Sequence, residues 1–371
     1  MGAVSWETIS GPNFSVPRLV AAQNNLEGVR AALVITRPNP GRQPDNLDFQ
    51  VLDYRDLLSS GPSLGLPAPF NRPDICVFHS TYIPVHGKIA TKLRSLGIPY
   101  VICPRGGMSQ YAQAVKPLKK RLGNFLFFRR MAEGAVAIQC VSEGEAAITT
   151  QWNRPIFVAG NGVHLPPPSR IARPGSTGKR RLLYLGRIDT EIKGLDLLVA
   201  ACGKIRAEML ASGALVDLYG PDWTNSVSAL NQEIQRLGLS GIVRIHDPVR
   251  GDAKTTVYAE HDAFLQTSRT EAHSLAALEA LGAGLPCLLT RSGHMADEVA
   301  TAGAGWAVET TVDGIAQGIL DVLRIPVADL QRLGKNGRKL AAEQYSWQRS
   351  ATLSVAAYRK YLPPRPLRRA A

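Results

Sequence analysis

The sequence predicts an α/β protein of two tandem domains, each a doubly wound parallel sheet with helices on both faces. Three observations predict it. Short apolar runs alternate with helical patterns throughout, as strands and helices alternate in parallel sheets. A stretch dominated by Pro, Gly and Ser at 166–178 interrupts the alternation as a linker does, and the alternation then restarts. Between the runs Ala263-Phe-Leu265 and Leu285-Pro-Cys-Leu-Leu289, Leu275, Leu278 and Leu281 recur at helical spacing, so this stretch reads strand, loop, helix, strand.

The first domain, residues 1–165, offers apolar runs at Val29–Ile35, Ile75–Phe78, Pro99–Cys103, Ala135–Val141 and Ile156–Val158, with helical patterns at 16–25, 86–96, 115–133 and 142–151. Its opening is unusual. Only Val4-Ser-Trp-Glu-Thr-Ile9, short and alternating, is available as a strand before Gly11-Pro12. Either the first strand is abbreviated or the chain begins further upstream. The second domain, 179–345, offers runs at Arg181–Leu185, Leu215–Tyr219, Ile242–His246, Ala263–Leu265, Cys287–Leu289 and Ala304–Val308. A last helix and tail, 346–371, carries Trp347, Leu353, Ala357 and Tyr361 at helical spacing and ends in Pro363-Pro-Arg-Pro; it is expected to pack back towards the first domain.

With 371 residues, 45% hydrophobic and 20% charged, the chain can bury a large core. The five cysteines are scattered, and Cys76, Cys103 and Cys140 sit in apolar runs that read as core. No Cys-x-x-Cys pair suggests a zinc or redox centre. No apolar run approaches the ~20 residues that span a bilayer, and no basic region followed by an apolar core marks a signal peptide. A reducing cytoplasmic setting is therefore expected. The formal net charge of +13 admits nucleic acid, an anionic membrane surface or a polyanionic substrate.

Chemistry concentrates at two strand ends of the second domain. A strand ends at Gly186, where the backbone can turn sharply, and Arg187 and Lys193 flank the loop that follows. A planar fork and a point charge at the carboxyl end of a strand suit a phosphate or diphosphate. The same loop also reads as a solvated one, with ion pairs to Asp189 and Glu191. In Ser268–Pro286, Glu271 precedes the helix and Glu279 lies within it. The backbone amides of His273, Ser274 and Leu275, placed in the first turn, make a ready anion site. Glu279 reads either as a ligand contact or as a helix-surface carboxylate. Eight residues of helix span ~12 Å, whereas glycoside hydrolases need carboxyls ~5 Å or ~6.5–9.5 Å apart, so the two acids do not read as a hydrolytic pair.

Gly186-Arg187…Lys193-Gly194, Glu271 with Glu279, and Gly284-Leu-Pro286 stand in order with Gly220-Pro-Asp222, Asn161-Gly162-Val163 and Arg105-Gly-Gly-Met-Ser109. In this ordered set the chain resembles the family 4 retaining glycosyltransferases, or group 1 glycosyl transferases, over most of its length. The resemblance implies the GT-B fold, two Rossmann-like domains facing each other across a cleft. It implies a retaining transfer from a UDP- or GDP-linked sugar, with no metal and no other cofactor. No Asp-x-Asp is present to hold one. By the same resemblance Arg187 and Lys193 grip the donor diphosphate, Glu279 binds the ribose hydroxyls, and Glu271 contacts the transferring sugar. The amides of His273, Ser274 and Leu275 meet the phosphate or sugar. Glu271, Arg187 and Lys193 are then the catalytic set, since fixed cations stabilise charge developing on the leaving diphosphate.

The chain departs from the family in places. Glu271-Ala-His-Ser-Leu275 stands where the family often has Glu-Gly-Phe-Gly, so His273 either contacts the sugar or fills the phenylalanine's place. Arg105 stands where a histidine is common; it stays charged and cannot act as a base, but suits a phosphate or an acidic acceptor. His79 is a further cleft candidate or a structural residue, and the Gly11-Pro-Asn13 loop would approach the donor phosphate. Lys116, Lys119, Lys120, Arg121, Arg129 and Arg130 cluster without an acid among Leu118, Leu122, Phe125 and Phe128. This pattern suits an anionic membrane surface, with the apolar side packed on the first sheet. No recognition motif accompanies the charge, so nucleic acid is not expected. The expected acceptor is a saccharide or lipid-linked saccharide at the inner face of the membrane, in cell-surface polysaccharide assembly. A GT-B nucleotide-sugar epimerase and a non-catalytic nucleotide-sugar or polyanion-binding module are the competing classes. Gly282-Ala-Gly284 and Gly303-Ala-Gly305 lack the full dinucleotide fingerprint, which counts against an oxidoreductase.

Overall fold

A computed structural model describes the chain except residues 8–9, 46, 60, 62, 109–116, 150–151, 173, 176–177 and 363–371. The chain divides into two compact units, Met1–Gly162 with Trp347–Ala371, and Val163–Ser346.

The first unit contains β1 (Leu33–Ile35), β2 (Val51–Asp53), β3 (Cys76–His79), β4 (Tyr100–Cys103), β5 (Ala137–Cys140) and β6 (Ile156–Val158). They form parallel ladders in the orders β1-β2 and β3-β4-β5-β6. Met1 and Gly2 stitch the two ladders together. Gly2 bridges Ile35, with its N–H on the Val34 carbonyl at 3.1 Å, while the Met1 carbonyl accepts from His79 N at 2.8 Å. In this opening segment Gly2 makes the β-bridge, and Met1 adds the contact to His79. Val4 is buried but lies outside any strand, and Thr8 and Ile9 fall outside the described residues. β2 was not foreseen, because Leu52 is its only buried residue and three residues give no period to read. The core gathers Phe78, Ile89, Leu93, Tyr100, Ile102 and Ile138.

The helix Trp347–Lys360 belongs to this unit and packs on the helix Gly11–Asn24, Trp347 and Ala351 against Leu19 and Ala22. Gln23 Nε2 donates to Ser354 Oγ at 3.0 Å across them. Pro363-Pro-Arg-Pro lies outside the described residues.

The second unit is one six-stranded parallel sheet of β7 (Arg181–Leu185), β8 (Leu215–Tyr219), β9 (Val243–His246), β10 (Ala263–Gln266), β11 (Cys287–Thr290) and β12 (Gly305–Val308). Their order is β12-β11-β10-β7-β8-β9. From β7 the chain builds outward to β8 and β9, then returns to place β10 on the other side of β7. The order therefore reverses between β7 and β10, and open α/β sheets bind ligands outside the carboxyl ends of strands at such a switch point. The segment read as a linker lies against this unit: Arg338 donates to the Pro166 carbonyl at 2.9 Å, and Ala172 N to the Ala283 carbonyl at 2.8 Å.

A polar cluster sits inside this sheet. Asp217 on β8, 1% exposed, accepts from His246 Nε2 at 2.7 Å, His261 Nε2 at 3.2 Å and Arg181 at 3.1 Å. Burial pushes its carboxyl up, but these three partners outweigh burial and hold it below its ordinary value.

Candidate functional site

Arg187 and Lys193 follow β7, and Glu271 follows β10, so the two central strands deliver them to the switch point. The Lys193 ammonium pairs directly with the Glu271 carboxylate. The alternative reading of a solvated loop had ion pairs to Asp189 and Glu191; Lys193 pairs with Glu271 instead. Arg187 lies 3.9 Å from Asp189, and its guanidinium stacks 4.3 Å from the Trp223 ring centre. Asp189 Oδ1 accepts from the amides of Glu191 and Ile192 at 3.1 and 2.9 Å, which closes the loop into a tight turn.

The loop is held from both sides. Thr267 Oγ1 donates to the Lys193 carbonyl at 3.1 Å. Gly194 is left-handed (φ 63°), and a Cβ there would collide with the Thr267 carbonyl. Arg269 donates to the carbonyls of Thr190 and Glu191 at 2.9 and 3.0 Å and forks onto Asp196 at 2.8 and 2.6 Å. Arg269 thus ties the β7 loop to the β10 loop. On the other flank Ile188 N donates to the Pro221 carbonyl at 2.9 Å, and a Cβ on Gly220 would run into the Gly186 carbonyl. Gly220→Ala is therefore expected to cost about 1–3 kcal/mol by forcing the two loops apart, read as a lower urea midpoint. An unchanged midpoint would show that the loops part freely.

The helix after Glu271 spans Leu275–Gly282, and Ser274 is its N-cap, its Oγ accepting from Ala277 N at 3.2 Å. The first-turn amides are accordingly those of Leu275 and Ala276, later than the sequence placed them, because Ser274 is a better cap than an interior residue. His273 is buried and meets Tyr345 edge-on at 5.4 Å. Glu279 is not a solvated surface acid. Its carboxylate pairs with Lys254 and accepts from Tyr258 OH at 3.0 Å. Burial and then Glu279 keep the Tyr258 hydroxyl well above its ordinary pKa, so it stays a donor.

The candidates of the first unit lie at the carboxyl ends of β3 and β4. Arg105 has a left-handed backbone (φ 51°), unusual for a residue with a Cβ. Its guanidinium donates to Ser15 Oγ and Asn161 Oδ1, both at 2.9 Å, and lies 3.4 Å from His79 Nδ1. His79 is buried, and burial followed by the Arg105 charge pushes its pKa well below 6.5, so it is a neutral imidazole. Gly11 opens the helix whose Ser15 holds Arg105, and its carbonyl accepts from Ser15 Oγ at 2.9 Å.

Sequence reasoning missed Trp223, Arg269, Lys254 and Tyr258. Trp223 follows Gly220-Pro-Asp222 and Arg269 stands inside the quoted stretch, so proximity was a usable signal. Lys254 and Tyr258 come from a helix, Gly251–Ala259, that no motif marks.

Residues 169–340 match the family of glycosyl transferases group 1. The chain is 28% identical over 253 residues to MMP alpha-(1->4)-mannosyltransferase of Mycolicibacterium hassiacum, covering 66% of this chain and 59% of that one. It is 29% identical over 243 residues to the D-inositol 3-phosphate glycosyltransferase of an Arthrobacter species, covering 62% and 56%. The chain thus spans between a half and two thirds of the length of these relatives. Among solved structures it is similar to sucrose-phosphate synthase from Thermosynechococcus elongatus, with TM-score 0.73 at 18% identity over 96% of this chain and 95% of that one. Anabaena HepE in complex with UDP and glucose gives TM-score 0.71 at 15% identity over 97% and 98%. These neighbours have the GT-B fold, and GT-B is the fold of this chain.

Proposed function

We propose that this chain, whose residues 169–340 match the group 1 glycosyl transferases, is a metal-independent retaining glycosyltransferase of that family. It would move a sugar from a UDP- or GDP-linked donor to a saccharide or lipid-linked saccharide, in cell-surface polysaccharide assembly at the cytoplasmic face of a membrane. The observation that carries the reading is the convergence of Arg187, Lys193 and Glu271 at the sheet's switch point. When the bond between the sugar and the diphosphate breaks, negative charge grows on the diphosphate. Arg187 and Lys193 are fixed cations placed to stabilise it, and the first turn of Leu275–Gly282 adds partial positive charge. Glu271, paired with Lys193, would accept from sugar hydroxyls, and Glu279 from the ribose. On the acceptor side Arg105, held by neutral partners, suits an anionic group such as the phosphate of a lipid-linked acceptor.

Thermal shift with UDP- and GDP-sugars tests donor binding, since a ligand of the folded state raises the melting temperature. One nucleotide's sugars are expected to stabilise the protein and to be turned over in EDTA, giving an α-linked product from an α-linked donor by NMR. Turnover that needs a divalent cation, or a β-linked product, would overturn the mechanism; no stabilisation by either donor class would overturn the function.

A further inference from the structure

The basic segment of the first unit does not lie as an amphipathic helix on a sheet usually does. It runs as Pro117–Gly123, a π-helical turn Asn124–Phe128, and Arg129–Glu133. Its inner side is anchored. Phe128 stacks with Tyr82 at 4.6 Å and meets Trp152 edge-on at 5.5 Å, and Tyr82 OH donates to Asn124 at 2.9 Å. Met131 and Ala132 are buried beside them. The outer side is apolar as well: Leu118 is 79% exposed, Leu122 58%, Phe125 85% and Leu126 61%. Of Leu118, Leu122, Phe125 and Phe128, which were expected to pack inward, only Phe128 does so. Lys116 lies outside the described residues, as does the side chain of Lys119. Arg121, Arg129 and Arg130 are exposed along the same segment, the Lys120 ammonium lies 5.4 Å from the Tyr82 ring centre, and the nearest acid along the segment, Glu133, pairs with Arg129.

We propose that this stripe inserts into the headgroup boundary of an anionic bilayer, Phe125 deepest, with the cations of the segment on lipid phosphates. Apolar side chains left in water while their own helix buries a second apolar face need a further apolar phase. An excess of cations chooses a negatively charged one. A neighbouring protein surface would supply the apolar contact but gives no account of the excess of cations, Lys119, Lys120, Arg121, Arg129 and Arg130 against the single acid Glu133. The insertion deepens the membrane part of the function proposed above and rests on that reading only for the identity of the acceptor.

Because Cys76, Cys103, Cys140, Cys202 and Cys287 are all buried, a thiol placed at the surface can be labelled selectively. The full chain carrying Phe125→Cys with an environment-sensitive fluorophore is mixed with vesicles of phosphatidylcholine alone or with an equal part of phosphatidylglycerol. A blue-shifted, brighter emission is expected with the anionic vesicles and not with the neutral ones. In co-sedimentation, Phe125→Ser/Leu126→Ser is expected to weaken partition to anionic vesicles at least about tenfold at unchanged melting temperature. Binding by wild type without the emission change would mean that only surface charge is used, and would overturn insertion. A dimer in sedimentation that the double variant dissolves, with no vesicle binding, would assign the stripe to a second copy instead. Donor-induced thermal shift, measured without vesicles, separates the two readings. It should be equal in wild type and the double variant, and its loss in both would overturn the transferase while leaving the membrane result standing.

Discussion

Lys193→Ala is expected to lower the rate of the proposed sugar transfer by about 10²–10³-fold, the range for removing one donor from a developing oxyanion. The loss falls on turnover rather than on folding. The loop around Lys193 is held by backbone contacts that survive the substitution: Thr267 on the Lys193 carbonyl, left-handed Gly194 against Thr267, and Arg269 across Thr190, Glu191 and Asp196. The side chain is thus dispensable to the loop, and the substitution removes its charge alone. Its removal also strips Glu271 of its ion-pair partner. The check is steady-state turnover beside a thermal melt. A rate within about threefold of wild type removes Lys193 from the reaction; a collapsed melting temperature assigns it to the fold.

The second large effect lies away from the chemistry. Asp217→Asn is expected to destabilise the second unit by about 3–5 kcal/mol, the cost of breaking a buried charged cluster from one side. Arg181, His246 and His261 would then share a neutral amide in place of the carboxylate. The effect is pH-dependent with a definite sign. The Asp217 carboxyl is held below its unfolded value of 3.8, so between the two values the unfolded chain binds more protons than the folded one. Its stabilisation is complete above that unfolded value and is lost as pH falls through it towards the lower folded one. Urea denaturation of both proteins at neutral pH and at about pH 3 reads this directly. The gap between them should narrow in acid; a constant gap would show that the carboxylate's charge is not what the cluster needs.

The two-unit α/β organisation was legible because buried parallel strands read as continuous apolar runs. Arg181–Leu185 and Leu215–Tyr219 were read to the residue. The contacts of Met1 with His79 and of Gly2 with Ile35 were not, since two residues carry no pattern. Strand ends were legible as candidate sites because Gly186-Arg187 follows such a run directly and Glu271 lies in the loop after another. The partners of those residues were not. Lys193 meets Glu271 across 78 positions of chain, and Tyr258 reaches Glu279 from a neighbouring helix. Such pairings depend on which strands become neighbours, which local periodicity does not encode. The exposed stripe at Leu118–Leu126 was misread for a related reason. Helical period shows that a face is apolar, not whether anything covers it.

The Lys193–Glu271 pair has a consequence for competition. A lone lysine at the end of a strand would draw any passing phosphate, and inorganic phosphate and nucleotides abound in cells. Lys193 is already neutralised by its own neighbour. A small anion approaching it also meets the Glu271 carboxylate and gains little. A ligand that brings hydroxyls for the acid and a diphosphate for the base satisfies both at once. On the function proposed above, selectivity against abundant anions would then come from cancelling the lysine's charge beforehand.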